Sequence, residues 1–291
     1  MKTLFYRSIF VLAIFVSSQA FLQSCTQSIS EKPNTIISAM SFNIRYNNPN
    51  DKENWWENRK NEVVDLINYY HPDFLGIQEG LNDQVKFLDN NLTQYNYIGI
   101  GREDAKEKGE YSAIYYNTSK FKLIKHKTFW LSETPDKISV GWDAAMERIC
   151  TYGSFLDLKT NKAIHVFNAH FDHMGNLARL NSAKLIVQKI KEFNLEKESV
   201  IVMGDLNTYP DSEPITEMKK VLTFGKDAVG DKFYGPSGTF NAFSNCKEIT
   251  ELIDFIFIKN LEVVNYRHID DKRKNNLNVS DHFPVLIEVK N

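Results

Sequence analysis

Cysteine is scarce in this sequence, with three residues among 291. None of them begins a CxxC pair or lies in a cysteine–histidine cluster, so the sequence does not support a structural zinc site. Internal repeats, low-complexity tracts and long linkers are also missing, which favours one continuous domain. Hydrophobic residues make up 42% of the chain and charged residues 25%, a composition that can form a large buried core.

An excess of basic residues is missing as well. The chain has 35 Lys and Arg against 37 Asp and Glu, with a sequence pI of about 6.4. Proteins that bind long polynucleotides usually carry a basic patch, because neutralising phosphates dominates their affinity. The sequence also lacks a Lys/Arg-rich stretch with interleaved aromatic residues. We therefore expect no long nucleic-acid partner, whereas a small phosphorylated substrate stays compatible with this charge.

The first 25 residues have the pattern of an export signal. Lys2 and Arg7 form a basic start, and the apolar run 9–16 is too short to span a bilayer. The segment "LQSC", which ends at Cys25, resembles a bacterial lipobox, whose cysteine becomes the lipidated first residue. We expect a signal peptide over residues 1–24 and an exported, periplasmic or cell-surface lipoprotein whose membrane contact is the lipid anchor. A soluble exported protein that is cleaved nearby is the alternative.

Beyond this signal, residues 25–34 predict a short polar tether and residues 35–291 the folded domain, which we expect to be a monomer. Residues 25–291 contain 33 basic and 37 acidic side chains and carry a net charge of −4. An exported protein could pair Cys150 with Cys246, but their apolar, strand-like surroundings favour two buried thiols. No long apolar hairpin that would insert into a membrane is visible.

Strand and helix patterns mix along the whole domain. The alternating, β-branched run 35–46 predicts a strand, and residues 59–72 and 177–193 have helical spacing of apolar residues. Two strand patterns around Thr160 and Asn161 predict a hairpin. Such mixing predicts one α/β domain with two packed sheets and helices outside.

Polar residues interrupt the apolar pattern at most strand ends. Singly, each has a plainer role, such as a turn residue or a helix cap. Because a buried carboxylate without a partner is costly, their recurrence predicts that they converge on one active site at one rim of the fold. These residues are Asn43, Glu79, Asn168, His170, Asp172, Asp205, Asn207, Asp254, Asp281 and His282.

The blocks "SFNIR", "QE", "NAHFDH", "GDLN", "IDFIF" and "SDHFPV" together resemble the endonuclease/exonuclease/phosphatase superfamily, in its compact bacterial branch. The superfamily includes DNase-I-like nucleases, inositol polyphosphate 5-phosphatases, neutral sphingomyelinases and deadenylases. The resemblance runs from Met40 to Val289 with every block in order. It implies a four-layer α/β sandwich, with two mixed β-sheets packed face to face and helices outside, and metal-dependent phosphoester hydrolysis.

The resemblance also implies a role for each matching residue. Glu79 would be the main Mg²⁺ ligand, with Asn43 beside it and Asp281 nearby; these hard oxygen donors suit Mg²⁺ or Mn²⁺. Asp205 would deprotonate the attacking water, which is general-base work. Three further residues complete this expected chemistry: Asn207 would hold the water or the phosphate, His282 would donate to a phosphoryl oxygen, and Asp254 would orient His282.

The other side of the site is expected to contact the phosphate. His170 would contact the scissile phosphate as a donor, and Asn168 would brace the neighbouring loops. Residue types suggest positive charge here from the histidines His170, His173 and His282. Arg148 and Arg179 are further candidates, although a salt bridge explains Arg148 and a solvated helix face explains Arg179 equally simply.

A zinc site within "NAHFDH" is not expected. Side chains alternate along a strand, so Asn168, His170 and Asp172 share one face, and His173 leaves it unless the strand has ended. No cysteine or third histidine completes a tetrahedral set.

These patterns predict a Mg²⁺-dependent phosphoesterase acting on a small phosphorylated sugar, inositol or lipid headgroup. The aromatic-rich segments 47–59 and 129–145 indicate specificity loops, with Trp142 as a candidate substrate contact and Trp55 and Trp130 as candidates for the core beneath. The alternatives are a nuclease acting on short nucleic acids outside the cytoplasm and a surface lipoprotein that binds without catalysis.

Overall fold

The computed structural model describes residues 35–245 and 248–291. The expected signal peptide, Cys25 and the tether lie outside these residues, and so does Cys246, so its pairing with Cys150 stays a prediction. Cys150 itself is buried. Within the described ranges, no helix has the length and apolarity needed to cross a membrane.

Twelve strands and five α-helices make up the described chain. The strands are β1 Ile36–Asn43, β2 Phe74–Gln78, β3 Tyr95–Ile98, β4 Ile114–Asn117, β5 Phe121–Trp130, β6 Ile149–Asp157, β7 Ala163–His170, β8 Ser199–Asp205, β9 Thr223–Phe224, β10 Asp254–Lys259, β11 Glu262–His268 and β12 Val285–Lys290. The helices are α1 Lys60–Tyr70, α2 Asn82–Asn91, α3 Asn176–Glu192, α4 Glu213–Lys219 and α5 Gly225–Val229.

The strands form two mixed sheets of six strands each. One sheet has the order β11-β12-β1-β2-β4-β3 and the other the order β5-β6-β7-β8-β10-β9. Each contains one parallel pair, β1 with β2 and β7 with β8. Apolar residues from the facing sides of both sheets, such as Phe74 and Phe155, share one buried core. The expected sandwich of two mixed sheets is therefore confirmed.

Helices cover the outer faces of this sandwich. Val63 and Ile67 of α1 pack with Leu75 and Ile77 of β2 in a second apolar cluster, which α2 also joins. On the other sheet, α3 contributes Ile186 and other buried residues to the main core. The layers follow from the sequence, since each helix has one apolar face and each central strand is apolar on both sides.

Local predictions agree with most of these elements. The hairpin is confirmed: β6 and β7 pair antiparallel, and Asn161 in their turn adopts a φ of 57°. Strand β5 is not predicted by the sequence patterns. It lies at a sheet edge and exposes most of its central residues. An edge strand lacks the apolar alternation that makes a half-buried strand recognisable.

A close approach of β7 and β8 sets the position of two site residues. His170 lies opposite Asp205 in this parallel pair, and Ala169 lies opposite Gly204. Gly204 has a φ of 152°, and a Cβ on it would lie 1.9 Å from the carbonyl oxygen of Ala169. Gly204 is therefore required for the strand contact that places His170 beside Asp205, and not only for a turn.

We expect Gly204→Ala to lower the free energy of unfolding by about 3 kcal/mol, because backbone must move to relieve the clash. Urea denaturation measures this change. The matched control is Gly80→Ala, where a Cβ would meet only side-chain methyls, the nearest on Ile77 at 3.0 Å. Its expected cost is below about 1 kcal/mol. Equal costs for the two variants would contradict the role of the strand contact.

Candidate active site

A cleft of about 750 Å³ opens at one end of the interface between the two sheets. Strands β1 and β2 of one sheet and β7 and β8 of the other end here, and β10 begins here. Among the residues that line the cleft are Arg45, Glu79, His170, Asp205, Asp281 and His282. The structure thus brings together most of the polar residues expected at the site.

Strand register explains why these residues meet. Asn43 pairs with Gln78, so Glu79 follows at the same edge of the first sheet. In the second sheet, Asp205 lies opposite Asp254 of the antiparallel strand β10. The facing sheets then bring the two polar edges into contact.

Asn43 links the two sheets at the base of the cleft. Its buried Nδ2 donates to Glu79 Oε1 and to Asp205 Oδ2, both at 3.0 Å, and lies 3.4 Å from His282 Nε2. Its Oδ1 accepts from the backbone N–H of Arg45 at 3.0 Å. In this orientation Asn43 donates to the carboxylates, so its expected role as a metal ligand stays a prediction.

Asp205 has the properties of a general base near neutral pH. Its Oδ1 accepts from the backbone N–H of Asn207 at 3.0 Å, while its Oδ2 accepts from Asn43. Burial and the charge of Asp254 raise the pKa of Asp205 to about 7, although His282 and these hydrogen bonds act in the opposite direction. A base with such a pKa accepts a proton readily at the pH of most cells.

His282 and Asp254 form a buried ion pair behind Asp205. His282 Nδ1 donates to Asp254 Oδ2 at 2.8 Å, and His282 Nε2 lies 3.8 Å from Asp205 Oδ2. Burial lowers the pKa of His282, but Asp254 and Asp205 outweigh it and raise that pKa well above its ordinary value. His282 is therefore an imidazolium whose Nε2–H faces the cleft, as its expected donor role requires.

The opposite wall is built around Arg148, which is buried. Its Nε lies 3.3 Å from Asp172 Oδ2, and its Nη2 donates to His173 Nδ1 at 2.8 Å. Its Nη1 lies 3.1 Å from the ring nitrogens of His170. The simple salt bridge considered from the sequence is thus present, and Arg148 also lines the cleft.

His170 differs from the positive donor that residue types suggest. Burial, followed by the charges of Arg148 and Arg102, lowers its pKa well below the ordinary value. His170 is therefore neutral, with its Nε2 3.6 Å from Asp205 Oδ2. The positive charge of this wall comes from arginine.

Three further residues from the sequence patterns line the cleft: Asn207, His173 and Arg179. The Asn207 amide donates to the carbonyl of Phe171 at 3.0 Å. Arg179 is not simply a solvated helix residue, because its Nη1 donates to the Asp172 carbonyl at 3.0 Å.

The structure places two expected substrate contacts away from the cleft. Asn168 is fully buried between the sheets, where its Nδ2 donates to the carbonyls of Ile77 and Ala113 at 2.8 and 2.9 Å. It therefore ties the sheets together instead of bracing loops or binding phosphate, because its donors are used by backbone. Trp142 is partly buried against the main core and is not among the cleft residues.

The prediction that Trp55 and Trp130 lie in the core is right for Trp130 and wrong for Trp55. Trp130 is buried and donates to the carbonyl of Arg102 at 2.9 Å. In the other loop Trp56 is the buried residue, whereas Trp55 is partly exposed and donates to Asn47 Oδ1. Two adjacent tryptophans give no pattern that shows which of them is buried.

Four charged cleft residues are absent from the sequence predictions. Arg102 donates to both carboxylate oxygens of Glu110, from Nη1 to Oε2 at 2.7 Å and from Nη2 to Oε1 at 3.0 Å. Glu110 Oε2 also lies 3.7 Å from His170 Nδ1. Residues 102–110 contain many charged side chains and have the composition of a solvated turn. Nothing in the local sequence therefore distinguishes Arg102 and Glu110 from the charged residues around them that face solvent. Arg45, near Asn43 in the chain, and Glu251 are the other two.

The acidic side of the cleft fits a hard divalent cation. One ligand atom each from Glu79, His170 and Asp205 lie within 4.8 Å of one another, and so do one each from Asp205, Asp254 and His282. Because His282 and Asp254 already form an ion pair, the group with Glu79 is the better candidate. Within it Glu79 is the expected ligand, since Asp205 has the properties of the base and His170 belongs to the opposite wall. Burial and the charge of Glu79 also raise the pKa of Asp281, although His282 and nearby arginines oppose this. A bound cation would neutralise this accumulated negative charge.

Comparison with known proteins agrees with this geometry. A family model described as "Endonuclease/Exonuclease/phosphatase family" matches residues 40–282. An endonuclease/exonuclease/phosphatase structure from Bacteroides vulgatus is 36% identical, with a TM-score of 0.84, and the match covers 88% of this chain and 99% of that one. A structure titled as the mannosyl-6-phosphatase Bt3783 of Bacteroides thetaiotaomicron is 35% identical, with a TM-score of 0.81, covering 87% and 99%.

A curated relative extends the match beyond bacteria. The uncharacterised protein L388 of Acanthamoeba polyphaga mimivirus is 30% identical over 256 residues, which are 80% of this chain and 91% of that protein. The chain therefore belongs to the endonuclease/exonuclease/phosphatase family, whose members are metal-dependent phosphoesterases.

Proposed function

We propose that the protein is a Mg²⁺-dependent hydrolase of a small phosphorylated sugar, inositol or lipid headgroup. The observation that carries the chemistry is the buried Asp205 carboxylate, with a pKa of about 7, hydrogen-bonded to Asn43 and facing the His282 imidazolium beside an acidic ligand set. A base, a proton donor and a cation site in one cleft are the three needs of phosphoester hydrolysis.

Each residue has a definite task in this proposal. Asp205 takes a proton from the attacking water. Asn207, which follows Asp205 by two residues in the chain and also lines the cleft, helps to hold that water. His282 donates its Nε2–H to a phosphoryl oxygen, while Asp254 keeps it charged and oriented. When bound at Glu79 with Asp281 nearby, Mg²⁺ supplies Lewis-acid stabilisation of the negative charge on the phosphoryl group.

Cleft volume and charge support a small substrate. A cleft of about 750 Å³ is in the range of small-molecule sites, and the net charge of −4 for residues 25–291 disfavours polynucleotides. The bacterial structure titled mannosyl-6-phosphatase, at 35% identity and nearly full coverage, supports a phosphorylated sugar in particular.

A nuclease acting on short nucleic acids is the second candidate. A zebrafish TDP2 structure titled as a complex with single-strand DNA product has a TM-score of 0.71, but at 16% identity it supports the fold alone. A yeast protein described as a probable RNA exonuclease is 25% identical over 57% of this chain and 34% of that protein. A non-catalytic binding lipoprotein fits less well, since it has no need of both an intact base and a charged donor.

We expect Asp205→Asn to lower kcat by ~10²–10⁴-fold, because it removes the base, and EDTA to abolish turnover until Mg²⁺ is restored. The assay offers mannose 6-phosphate, inositol phosphates, glycerophospholipids and oligonucleotides to the residue 25–291 protein. Asp211→Asn, at an exposed carboxylate beyond the cleft, is the matched control and should retain activity. Turnover that survives both EDTA and Asp205→Asn would refute the mechanism, and turnover of oligonucleotides alone would favour the nuclease.

We expect Asp254→Asn to shift the whole pH profile of kcat/KM to lower pH. The charge of Asp254 raises the pKa of both Asp205 and His282, so its removal lowers both. Asp205 then becomes an active base at lower pH, and His282 also loses its proton at lower pH. Measurement at saturating Mg²⁺, with the exposed Asp231→Asn as control, tests this. A lower rate with both limbs unmoved would contradict the coupling.

We also propose export and anchoring through a lipidated Cys25. In a bacterial host, wild-type protein is then expected in the membrane fraction and Cys25→Ser in the soluble fraction, because the lipid chain supplies the membrane affinity. Cys150→Ser, at a buried thiol, is the control and should stay with the membrane. Equal fractionation of wild-type and Cys25→Ser protein would argue against the anchor.

A further inference from the structure

We propose that Arg45 is a further cationic contact for the phosphoryl group, beside Mg²⁺ and His282, and that it makes the enzyme selective for phosphomonoesters. This inference rests on the proposed function and names the ester class that the same cleft accepts. It comes from the way in which the chain fixes one guanidinium beside the candidate cation site.

The backbone of Arg45 is held in a conformation that non-glycine residues rarely adopt. Its φ is 58°, in the left-handed region, two residues after the end of strand β1. Its carbonyl accepts from Arg59 Nη2 and Gln84 Nε2, both at 2.9 Å, and both of these side chains come from buried residues. Its N–H donates to Asn43 Oδ1. Strain that the surroundings enforce in this way is typical of functional positions.

The side chain is also fixed in direction. Nε and Nη2 of Arg45 donate to the two oxygens of Asp51 at 3.0 and 3.2 Å, and the guanidinium lies 4.4 Å from the centre of the Tyr46 ring. Because Asp51 binds Nε and Nη2, the third guanidinium nitrogen, Nη1, does not contact Asp51. It lies 3.9 Å from Glu79 Oε2. A clamped guanidinium in a cleft is a preorganised anion contact.

The position of this charge disfavours cation binding. Arg45 Nε lies 3.7 Å from Asp281 Oδ2, and Nη1 lies 3.9 Å from Glu79, which are the carboxylates expected to hold or neighbour Mg²⁺. An arginine side chain stays protonated in proteins, so Arg45 carries its charge whether or not a cation is bound. A permanent positive charge therefore repels a cation at the same carboxylates.

An anion that contacts both Mg²⁺ and Arg45 offsets the repulsion between these two positive charges. The phosphoryl group of a monoester carries up to two negative charges near neutral pH and three non-bridging oxygens, so it can neutralise Mg²⁺ and Arg45 together. A diester has one negative charge and two non-bridging oxygens, and its second substituent competes for the same space. Arg45 should therefore stabilise bound monoesters much more than diesters.

The test compares p-nitrophenyl phosphate with bis(p-nitrophenyl) phosphate, which share a leaving group. We expect Arg45→Gln to lower kcat/KM by about 100-fold for the monoester and by less than about 10-fold for the diester. Calorimetric titration without substrate should show that Arg45→Gln binds Mg²⁺ several-fold more tightly, roughly what removing one nearby positive charge predicts. A merely structural role would not tighten Mg²⁺ binding.

Two further variants keep the result interpretable. Arg45→Lys retains the charge and should keep part of the monoester preference, while Arg267→Gln, outside the cleft, should match wild type. Equal losses on both esters with unchanged Mg²⁺ affinity would overturn the proposal, as would Arg45→Lys behaving like Arg45→Gln. If wild type hydrolyses neither ester nor any compound of the substrate panel, the proposed function fails, yet the Mg²⁺ titration still reports on the charge of Arg45.

Discussion

The hydrogen bonds of Asn43 join the two halves of the active site. One amide nitrogen lies between Glu79 of the first sheet and Asp205 of the second, at 3.0 Å from each. Buried carboxylates repel each other, so they need a shared donor, a cation or a proton. The amide provides the donor, the raised pKa of Asp205 reflects the remaining repulsion, and the family's dependence on metal supplies the natural cation.

The same constraint explains why the cleft is divided by charge. Carboxylates collect on the Glu79 side, whereas the opposite wall is built around Arg148 and its neutral partner His170. Between them stands the His282 imidazolium, whose charge depends on buried Asp254. A phosphoryl group suits this division, because it binds a cation and hydrogen-bond donors at the same time. Arg45 is the exception, because its guanidinium lies on the acidic side, beside Glu79 and Asp281.

Sequence patterns identified the fold and the centre of the site because both depend on local signals. Polar residues such as Asp254 stand out inside apolar strands, and strand register then brings them together. The patterns were less informative where context decides. Asn168 has the same local signal as His170 but points its amide at backbone between the sheets. Glu110 lies in a charged loop, and nothing local shows that it faces the cleft.

By itself, the sequence determined the layered α/β architecture and the family, and it identified Asp205 as the proposed base together with His282 and its carboxylate partner Asp254. Periodicity and residue type carry that information, since each strand must bury apolar side chains and each buried charge needs a partner or a bound ion. Only the tertiary structure decided the protonation of His170, the bridging role of Asn43 and the approach of Arg45 to Glu79 and Asp281. These depend on distances of a few ångströms between residues far apart in the chain, because electrostatic and hydrogen-bond energies change steeply over that range.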